Sequence, residues 1–237
     1  MKQIIIFFDL DGTLMDHDAA ELAGVKAFHE RHRDLFPADF PSFLQQWQDL
    51  GNKYLNQFFD NKMTHLGQRQ VRVQELFAPA GVKLSDQDAL EKFDFYLNHY
   101  QQNWRLYPDV LPCLDRLRGR RLGIISNGDP GVQEIKLRNL GIRDRFEQVV
   151  FSGEVGVSKP DPRIFLEACR RMGTTPGESW YIGDNPEADV RGSRAAGMKA
   201  LWINRKGLDG GVEAHAQASD LTVLVEAIAG LRENTAT

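Results

Sequence analysis

Two aspartates stand two residues apart near the start of the chain, directly after an apolar run. The run is residues 4–8, and it leads into Asp9, Leu10, Asp11, Gly12 and Thr13. Residues two apart on an extended segment point to the same side, so both carboxylates lie together at the end of a buried strand. Like charges this close raise each other's pKa unless a cation neutralises them or they share the work of nucleophile and acid/base. The pair therefore predicts a reactive or metal-binding site, with a plain Asp-Gly turn as the alternative.

Three further polar groups follow apolar runs later in the chain. They are Ser126-Asn127-Gly128 after residues 122–125, Lys159-Pro160 at the end of the loop that follows residues 149–151, and Asp184 with Asp189 after residues 180–183. The strands of a parallel α/β sheet have their carboxyl ends at one edge, and ligands bind in the crevice there. We therefore expect all four groups to meet at one edge of a sheet.

In this order, the four groups resemble the motifs of the haloacid dehalogenase (HAD) superfamily of aspartate-nucleophile phosphotransferases. The resemblance covers the chain from residue 3 to about residue 205. It implies an enzyme of the phosphatase branch, a Mg²⁺-dependent phosphomonoester hydrolase that works through an aspartyl-phosphate intermediate. The expected substrate is a small phosphorylated metabolite, such as a nucleotide or a sugar phosphate.

The resemblance also assigns the reacting groups. Asp9 would attack phosphorus, which splits one hard hydrolysis into two easier steps. Asp11 would protonate the leaving oxygen and then activate water. Mg²⁺ prefers oxygen ligands, and it would be held by Asp9, the main-chain carbonyl of Asp11, and Asp184.

The phosphate-binding residues expected from the same resemblance are Leu10, Ser126, Asn127, Gly128 and Lys159. Lys159 offers a point charge to the phosphate and to the Asp9 carboxylate, and Lys159 is therefore also counted among the catalytic residues. Ser126 and Asn127 offer hydrogen bonds, helped by main-chain N–H groups around Gly128. The alternatives are an ordinary solvated lysine and a simple turn at the end of a strand.

Thr13 and Asp189 are expected to support the metal and phosphate ligands without being ligands themselves. Asp189 falls five residues after Asp184, near the start of a helix that the pattern predicts from Glu187 to Ala196. There it would hold metal-bound water or Lys159. The alternative is an acid in the first turn of a helix that only complements the helix dipole.

The second aspartate separates the branches of the superfamily. Dehalogenases and the phosphonate-cleaving branch lack it, so the presence of Asp11 argues against both. Sugar phosphomutases keep both aspartates and remain an alternative, as does a non-catalytic phosphate-binding or regulatory protein of the same fold. The helical insertion and the segment Gly183-Asp184-Asn185-Pro186 resemble those of pyrimidine 5′-nucleotidases, acylneuraminate 9-phosphatases and phosphoglycolate phosphatases, and the motifs do not choose among these groups.

Composition agrees with an ordinary enzyme of 237 residues, 42% of them hydrophobic and 26% charged, with a net charge of −4. This mild acidity gives no reason to expect nucleic acid or a membrane as a partner. Cys113 and Cys169 form no zinc or redox motif, so we expect buried, reduced thiols and a cytoplasmic location. The expected assembly is a monomer or a small homo-oligomer.

Helical patterns replace strand patterns between residues 16 and 104. Apolar residues recur at helical spacing near residues 22–28, 40–58, 73–77 and 90–100, which predicts a bundle of about four helices. His29 and His32 have the same spacing among charged residues, and this pattern is typical of a solvated helix face. In the resembling family such an insertion is a mobile cap that reads the leaving group. Its candidate contacts with substrate are Asp16, His17, Lys53 and Tyr54.

Strand and helix patterns alternate in the remainder of the chain. Strands are predicted at residues 4–8, 122–126, 148–151, 180–183 and 199–203, and a last helix near Thr222 to Leu231. Such alternation is typical of a parallel sheet with helices on both faces. The predicted fold is therefore α/β, a doubly wound, Rossmann-like parallel sheet with an inserted helical bundle. Residues 1–15 and 105–237 form its discontinuous core, and residues 16–104 form the cap.

Overall fold

A computed structural model describes residues 4–60, 62–209 and 213–224. Its centre is a parallel sheet in the order β3-β2-β1-β4-β5-β6. The strands are β1 (Ile5–Phe8), β2 (Leu122–Ser126), β3 (Gln148–Phe151), β4 (Ser179–Gly183), β5 (Lys199–Ile203) and β6 (Ala216–Ala218). The prediction of a parallel α/β sheet is confirmed, and β6 is a strand that the sequence analysis did not predict.

The apolar runs explain why these segments form the sheet. All four residues of β1 are at most 1% exposed, as expected for a strand covered on both faces by helices. β1 lies between β2 and β4, so the order of the strands reverses direction at this point. The carboxyl end of β1 is consequently the switch point at which such sheets bind ligands.

The helices follow the predicted alternation. In chain order they are α1 (His17–Arg31), α2 (Phe40–Phe59), α3 (His65–Phe77), α4 (Asp86–Gln102), α5 (Val110–Arg116), α6 (Pro130–Asn139), α7 (Ser152–Val155), α8 (Pro162–Arg171) and α9 (Gly192–Ala195). The predicted helix over 187–196 differs in its first part, because Pro186–Arg191 forms a wide π-helical segment before α9. The predicted last helix near 222–231 and the frayed end at 234–237 lie largely or wholly outside the described residues.

The described residues fall into two compact units. One contains the residues up to Asp16 and those from Arg105 onward, and the other is His17–Trp104. The chain leaves and re-enters the sheet unit side by side, since the Asp16 N–H donates to the Arg105 carbonyl at 2.9 Å and the Tyr107 N–H donates to the Leu14 carbonyl at 3.0 Å. No described helix is both long and apolar enough to cross a membrane.

The helical unit is built on aromatic side chains. α1 packs against α4, and α2 packs against α3. The ring of Phe28 contacts Trp47 and Phe77 in the middle of this unit, with ring centroids 5.0 Å and 6.2 Å away. The four predicted helices of this segment are confirmed.

The expected solvated face at His29 and His32 is wrong. Both side chains are buried, at 8% and 9% exposure, and both ring systems hydrogen-bond main-chain carbonyls, of Phe36 and Phe28 respectively. Burial lowers the pKa of His32, which favours its neutral form in the aromatic core. The charged residues next to them in the sequence suggested a solvated face. The two imidazoles are instead buried, as is the side chain of Phe28 on the same helix. The two cysteines are buried free thiols, as expected.

Candidate active site

Asp9 is placed by the sheet itself. Its N–H donates to the Ile182 carbonyl at 2.8 Å, which continues the β1–β4 ladder one residue beyond the strand. The residue is 5% exposed, so its carboxylate lies in a largely water-free setting. A backbone held on a neighbouring strand gives this carboxylate a fixed position at the switch point of the sheet.

A buried lysine contacts this carboxylate. Lys159 Nζ lies 2.5 Å from Asp9 Oδ1, 2.7 Å from Asp189 Oδ1 and 2.8 Å from the Tyr181 hydroxyl. Burial alone would lower the pKa of Lys159, but the carboxylates of Asp189 and Asp9 more than offset this and hold the pKa above its usual value. Lys159 is therefore a permanent ammonium group that links the ends of β1 and β4.

The main chain of Lys159 is held as firmly as its side chain. Its N–H donates to Asn127 Oδ1 at 2.8 Å, and its carbonyl accepts from Asn127 Nδ2 at 3.0 Å. The side-chain amide of Asn127 thus fixes the main chain of Lys159. Phosphate binding was the role expected for this residue, and it stays a prediction.

Three carboxylates converge at this place. One oxygen each from Asp9, Asp184 and Asp189 lie within 4.8 Å of one another. Thr13 Oγ1 lies 3.1 Å from Asp184 Oδ1 and 3.4 Å from Asp9 Oδ2, so it bridges two of them. Burial raises the pKa of Asp184 to about 7, with a further contribution from Asp189 against the opposing charge of Lys159. Burial likewise raises the pKa of Asp9.

This donor set fits a divalent cation. Both oxygens of Asp189 are already engaged, Oδ1 by Lys159 and Tyr181 and Oδ2 by the Asn185 N–H, so Asp189 orients its neighbours. Asp184 accepts from Thr13 on one oxygen, and its other oxygen points toward Gly12. Carboxylate oxygens are among the ligands that Mg²⁺ prefers.

Two glycines make room for these carboxylates. A Cβ on Gly12, whose φ is +87°, would lie 2.4 Å from Asp184 Oδ2. A Cβ on Gly183 would lie 2.4 Å from Asp189 Oδ2. No side chain fits at such distances, so both positions are restricted to glycine by the acids themselves.

Asp11 lies beside a different set of residues. Lys136 Nζ is 2.5 Å from its Oδ1, and Gln133 Nε2 is 2.9 Å from its Oδ2. Gln133 Nε2 also donates to Ser126 Oγ at 2.8 Å. Asp11 is thus paired with Lys136, whereas Lys159 pairs with two of the three clustered carboxyl groups, those of Asp9 and Asp189.

The remaining predicted phosphate residues lie near these groups. The N–H of Gly128 donates to Ser152 Oγ at 2.9 Å, in the turn that follows β2. Leu10 is fully buried, and its carbonyl accepts from the N–H groups of Leu14 and Met15 at 3.0 Å and 2.9 Å. These bonds fix the loop after β1 and leave the role of Leu10 toward phosphate a prediction.

Sequence reasoning missed Gln133, Lys136 and Tyr181. Gln133 and Lys136 stand at the i, i+3 spacing that places side chains on one helix face, directly after the Ser126-Asn127-Gly128 group. That spacing was the available signal for both residues. Tyr181 lies inside an apolar strand, where a hydroxyl needs a buried partner.

The four candidate contacts of the helical segment have other partners. Asp16 ends the first pass of the sheet unit. Within the helical unit, His17 Nδ1 is 2.9 Å from the Tyr100 hydroxyl. Lys53 Nζ is 2.7 Å from Glu75 Oε1 and lies 4.8 Å from the ring centroid of Tyr54. Their contact with substrate stays a prediction.

Known proteins share this arrangement of sequence and fold. A family model for haloacid dehalogenase-like hydrolases matches residues 5–197. Phosphoserine phosphatase of Thermus thermophilus is 43% identical over 107 residues. This match covers 44% of this chain and 43% of the length of that relative. Glyceraldehyde 3-phosphate phosphatase of Pyrococcus abyssi is 34% identical over 84% of this chain and 80% of the relative.

A solved structure agrees in fold. The HAD-hydrolase YfnB from Bacillus subtilis, determined bound to magnesium, matches with a TM-score of 0.83 over 97% of this chain and 100% of that chain. Its identity of 21% limits this likeness to the fold. With the family match covering most of the sequence, the chain belongs to the haloacid dehalogenase-like hydrolases.

Proposed function

We propose that the protein is a phosphomonoesterase that transfers the phosphoryl group of a small metabolite to Asp9 and then to water. The observation that carries the proposal is the buried carboxylate of Asp9, held at the sheet switch point with Lys159 Nζ at 2.5 Å and Asp184 beside it. Phosphoryl transfer depends on positioning and on neutralising the transferring charge, and this arrangement offers both. The relatives named above as phosphatases support it.

The residues of the site divide the two steps between them. In the first, an Asp9 oxygen attacks phosphorus, the ester P–O bond breaks, and Asp11 gives a proton to the departing oxygen. In the second, water attacks phosphorus, Asp11 takes its proton, and the bond from phosphorus to Asp9 breaks. The charge of Lys159 would stabilise the phosphoryl group, and the Ser126 hydroxyl would donate to one of its oxygens in both steps.

We further propose Mg²⁺ as the cofactor, held by the carboxylates of Asp9 and Asp184 and by the main-chain carbonyl of Asp11. When bound, the ion would neutralise charge on the phosphoryl oxygens. Asp189 and Thr13 would keep these ligands in place through the hydrogen bonds described above.

The substrate would be a small phosphorylated metabolite. The two named relatives act on phosphoserine and on glyceraldehyde 3-phosphate, which share a phosphomonoester on a short polar carbon chain. The helical segment 16–104 would act as a cap that reads the part of the substrate beyond the phosphate. Asp11 separates this proposal from dehalogenation, in which the expelled halide needs no proton.

A phosphate-release screen tests the proposal. Purified protein with Mg²⁺ is assayed against nucleotides, sugar phosphates, phosphorylated amino acids and triose phosphates, with a 2-haloacid as a further substrate. We expect phosphate release from at least one phosphomonoester and no halide release. A protein that releases no phosphate from any of them, or that isomerises a sugar phosphate faster than it hydrolyses it, is not the enzyme proposed.

Asp11→Asn should separate the two chemical steps. With an aryl phosphate the leaving group needs little protonation, so the first turnover should remain fast while steady turnover falls by about a hundredfold or more. Rapid mixing should then show a burst of one aryl alcohol per active site. With an alkyl phosphate both steps need Asp11, and no burst is expected. Asp34→Asn, at an exposed position of the helical unit, is the matched control. An equal loss on both esters without a burst would contradict the role of Asp11.

Replacing residues 17–104 with a short linker should uncouple specificity from chemistry. The paired main chain at Asp16 and Arg105 gives the linker two adjacent ends. We expect the shortened protein to retain slow cleavage of an aryl phosphate and to lose most activity on the best metabolite of the screen, because remote contacts help to orient the reacting centre. Circular dichroism checks folding. Equal proportional losses on both substrates would place specificity in the loops of the sheet unit.

A further inference from the structure

Two buried polar residues of α6 contact the reacting groups without being among them. Gln133 and Lys136 are each 3% exposed, although glutamine and lysine on a helix are usually solvated. Their contacts are Asp11 and the loop that follows β2. These two side chains therefore belong to the site by position.

The side-chain amide of Gln133 can point in only one way. Its Nε2 lies 2.9 Å from Asp11 Oδ2, 2.8 Å from Ser126 Oγ and 3.2 Å from the Asn127 carbonyl. A carboxylate and a carbonyl accept hydrogen bonds and cannot donate them, so the nitrogen must face this group. The amide oxygen is buried and has no hydrogen-bond partner among the described residues. Such an unsatisfied atom is uncommon in a stable interior and calls for a functional explanation.

The orientation of the amide determines how the Ser126 hydroxyl can be used. Because Gln133 donates to Ser126 Oγ, this oxygen acts as an acceptor toward the helix. Among the described residues, the hydroxyl hydrogen then has one acceptor, the Asn127 carbonyl at 3.5 Å, which is at the limit of a hydrogen bond. The O–H group is thereby left to donate to an anion at the edge of the sheet.

Lys136 completes the arrangement on the other side of Asp11. Its Nζ is 2.5 Å from Asp11 Oδ1, and Gln133 occupies Oδ2. Both oxygens of this carboxylate are thus held by side chains of one helix turn. Two short bonds to a single rigid element restrict the carboxylate to one orientation.

The geometry points to Gln133 and Lys136 as positioning residues that orient the Ser126 hydroxyl toward phosphate and the Asp11 carboxylate toward the reacting oxygen. This inference rests on the proposed phosphatase function and extends it to two residues that do not touch the substrate. Gln133 acts on phosphate binding through Ser126. Lys136 acts on turnover through Asp11.

The test of Gln133 is a double-mutant cycle on phosphate binding. Inorganic phosphate is titrated by calorimetry, with Mg²⁺ present, into wild type, Gln133→Met, Ser126→Ala and the double variant. We expect Gln133→Met to weaken binding by about tenfold in the presence of Ser126. In the Ser126→Ala background the same change should matter by less than about twofold, because its target hydroxyl is gone. Equal weakening in both backgrounds would overturn the role of Gln133.

Gln133→Glu keeps the shape and reverses the hydrogen bonding. A carboxylate there would accept from Ser126 and repel Asp11, so we expect weaker phosphate binding than in Gln133→Met, with circular dichroism as the check on folding. This variant also covers the case in which Gln133→Met fails to fold. Phosphate binding equal to wild type in Gln133→Glu would overturn the inference.

The test of Lys136 is a comparison of turnover with binding. Lys136→Met should lower kcat by about a hundredfold on aryl and alkyl phosphates while the phosphate Kd changes by less than about threefold. Lys136→Arg should recover part of kcat, because it restores a cation to Asp11. Arg138→Met, which removes an exposed ion pair with Glu134 on the same helix, is the control and should behave as wild type. Loss of kcat and of binding in equal measure would mean that Lys136 is only structural.

The phosphate-binding cycle and the turnover comparison separate this inference from the proposed function. Wild-type protein that binds phosphate but hydrolyses no phosphomonoester would refute the proposed function, and the binding cycle would still decide the role of Gln133. Wild-type activity with a kcat of Lys136→Met equal to that of Arg138→Met would uphold the function and refute the role of Lys136.

Discussion

Asp9→Asn should lower kcat by roughly ten-thousand-fold, about 5.4 kcal/mol in activation free energy, while leaving the melting temperature close to wild type. The amide has nearly the shape of the carboxylate but is a poor nucleophile. Its oxygen can still accept from Lys159, so the network around the lysine survives. The measurement is steady-state phosphate release on the best substrate of the screen.

Trapping the intermediate gives this prediction a second readout. Acid-quenched wild type should carry one phosphoryl group on the peptide that contains Asp9, and Asp9→Asn should carry none. Asp34→Asn is the control for the change of an acid to an amide, and its activity should match wild type. Residual activity of Asp9→Asn within tenfold of wild type would remove Asp9 as the nucleophile.

Removing divalent cations should stop turnover, and added Mg²⁺ should restore it. The reason is that the carboxyl groups of Asp9, Asp184 and Asp189 converge, and Lys159 forms ion pairs with only Asp9 and Asp189 among them. Full activity after exhaustive chelation, with metal analysis showing none bound, would contradict the site. Ca²⁺ should inhibit, because its larger and looser coordination shell disturbs the in-line geometry.

The same prediction has a readout in stability. Because burial raises the pKa of Asp184 from 3.8 to about 7, the folded protein binds a proton there that the unfolded chain releases between these values. Without added cation, stability should therefore fall as the pH rises from about 4 to about 7. Mg²⁺ at a hundred times its Kd should restore about 2.7 kcal/mol at pH 7.5 and less at pH 5, where it competes with the proton. Thermal melts of wild type and Asp184→Asn measure this, and the variant should respond little to Mg²⁺.

The strands of the sheet could be predicted because their signal is local. Five of the six described strands are apolar runs that end in a polar group, and their order in the sequence implied a shared edge. β6 is Ala216–Ala218, three residues without a large apolar side chain. It forms a strand because it pairs with the edge of β5, which depends on tertiary structure. Sequence patterns hold no sign of it.

The site shows the same limit. The aspartates and Lys159 could be named in advance because each follows a strand in a recognisable group. For Gln133 and Lys136 the i, i+3 spacing indicated a shared helix face, but a polar pair on a helix is usually solvent-exposed, and only the packing of α6 shows that this face is buried. The expected role of the Asn127 side chain as a phosphate ligand did not foresee its bonds to the Lys159 main chain, because the partner is a backbone 32 residues away.

The side-by-side exit and re-entry of the chain has a consequence for folding. β1 must pair with β2 across residues 9–121, of which residues 17–104 form the helical unit. The first and last helices of that unit pack together and are joined by the hydrogen bond between His17 and Tyr100, so the folded segment brings its own ends together. Residues 9–16 and 105–121, about 25 in all, remain outside the folded segment. Shortening the effective loop from about 113 residues to about 25 saves about two doublings of length, or about 1.3 kcal/mol of closure entropy. Once its helices have formed, the insertion hinders β1–β2 pairing little more than a loop of about 25 residues would.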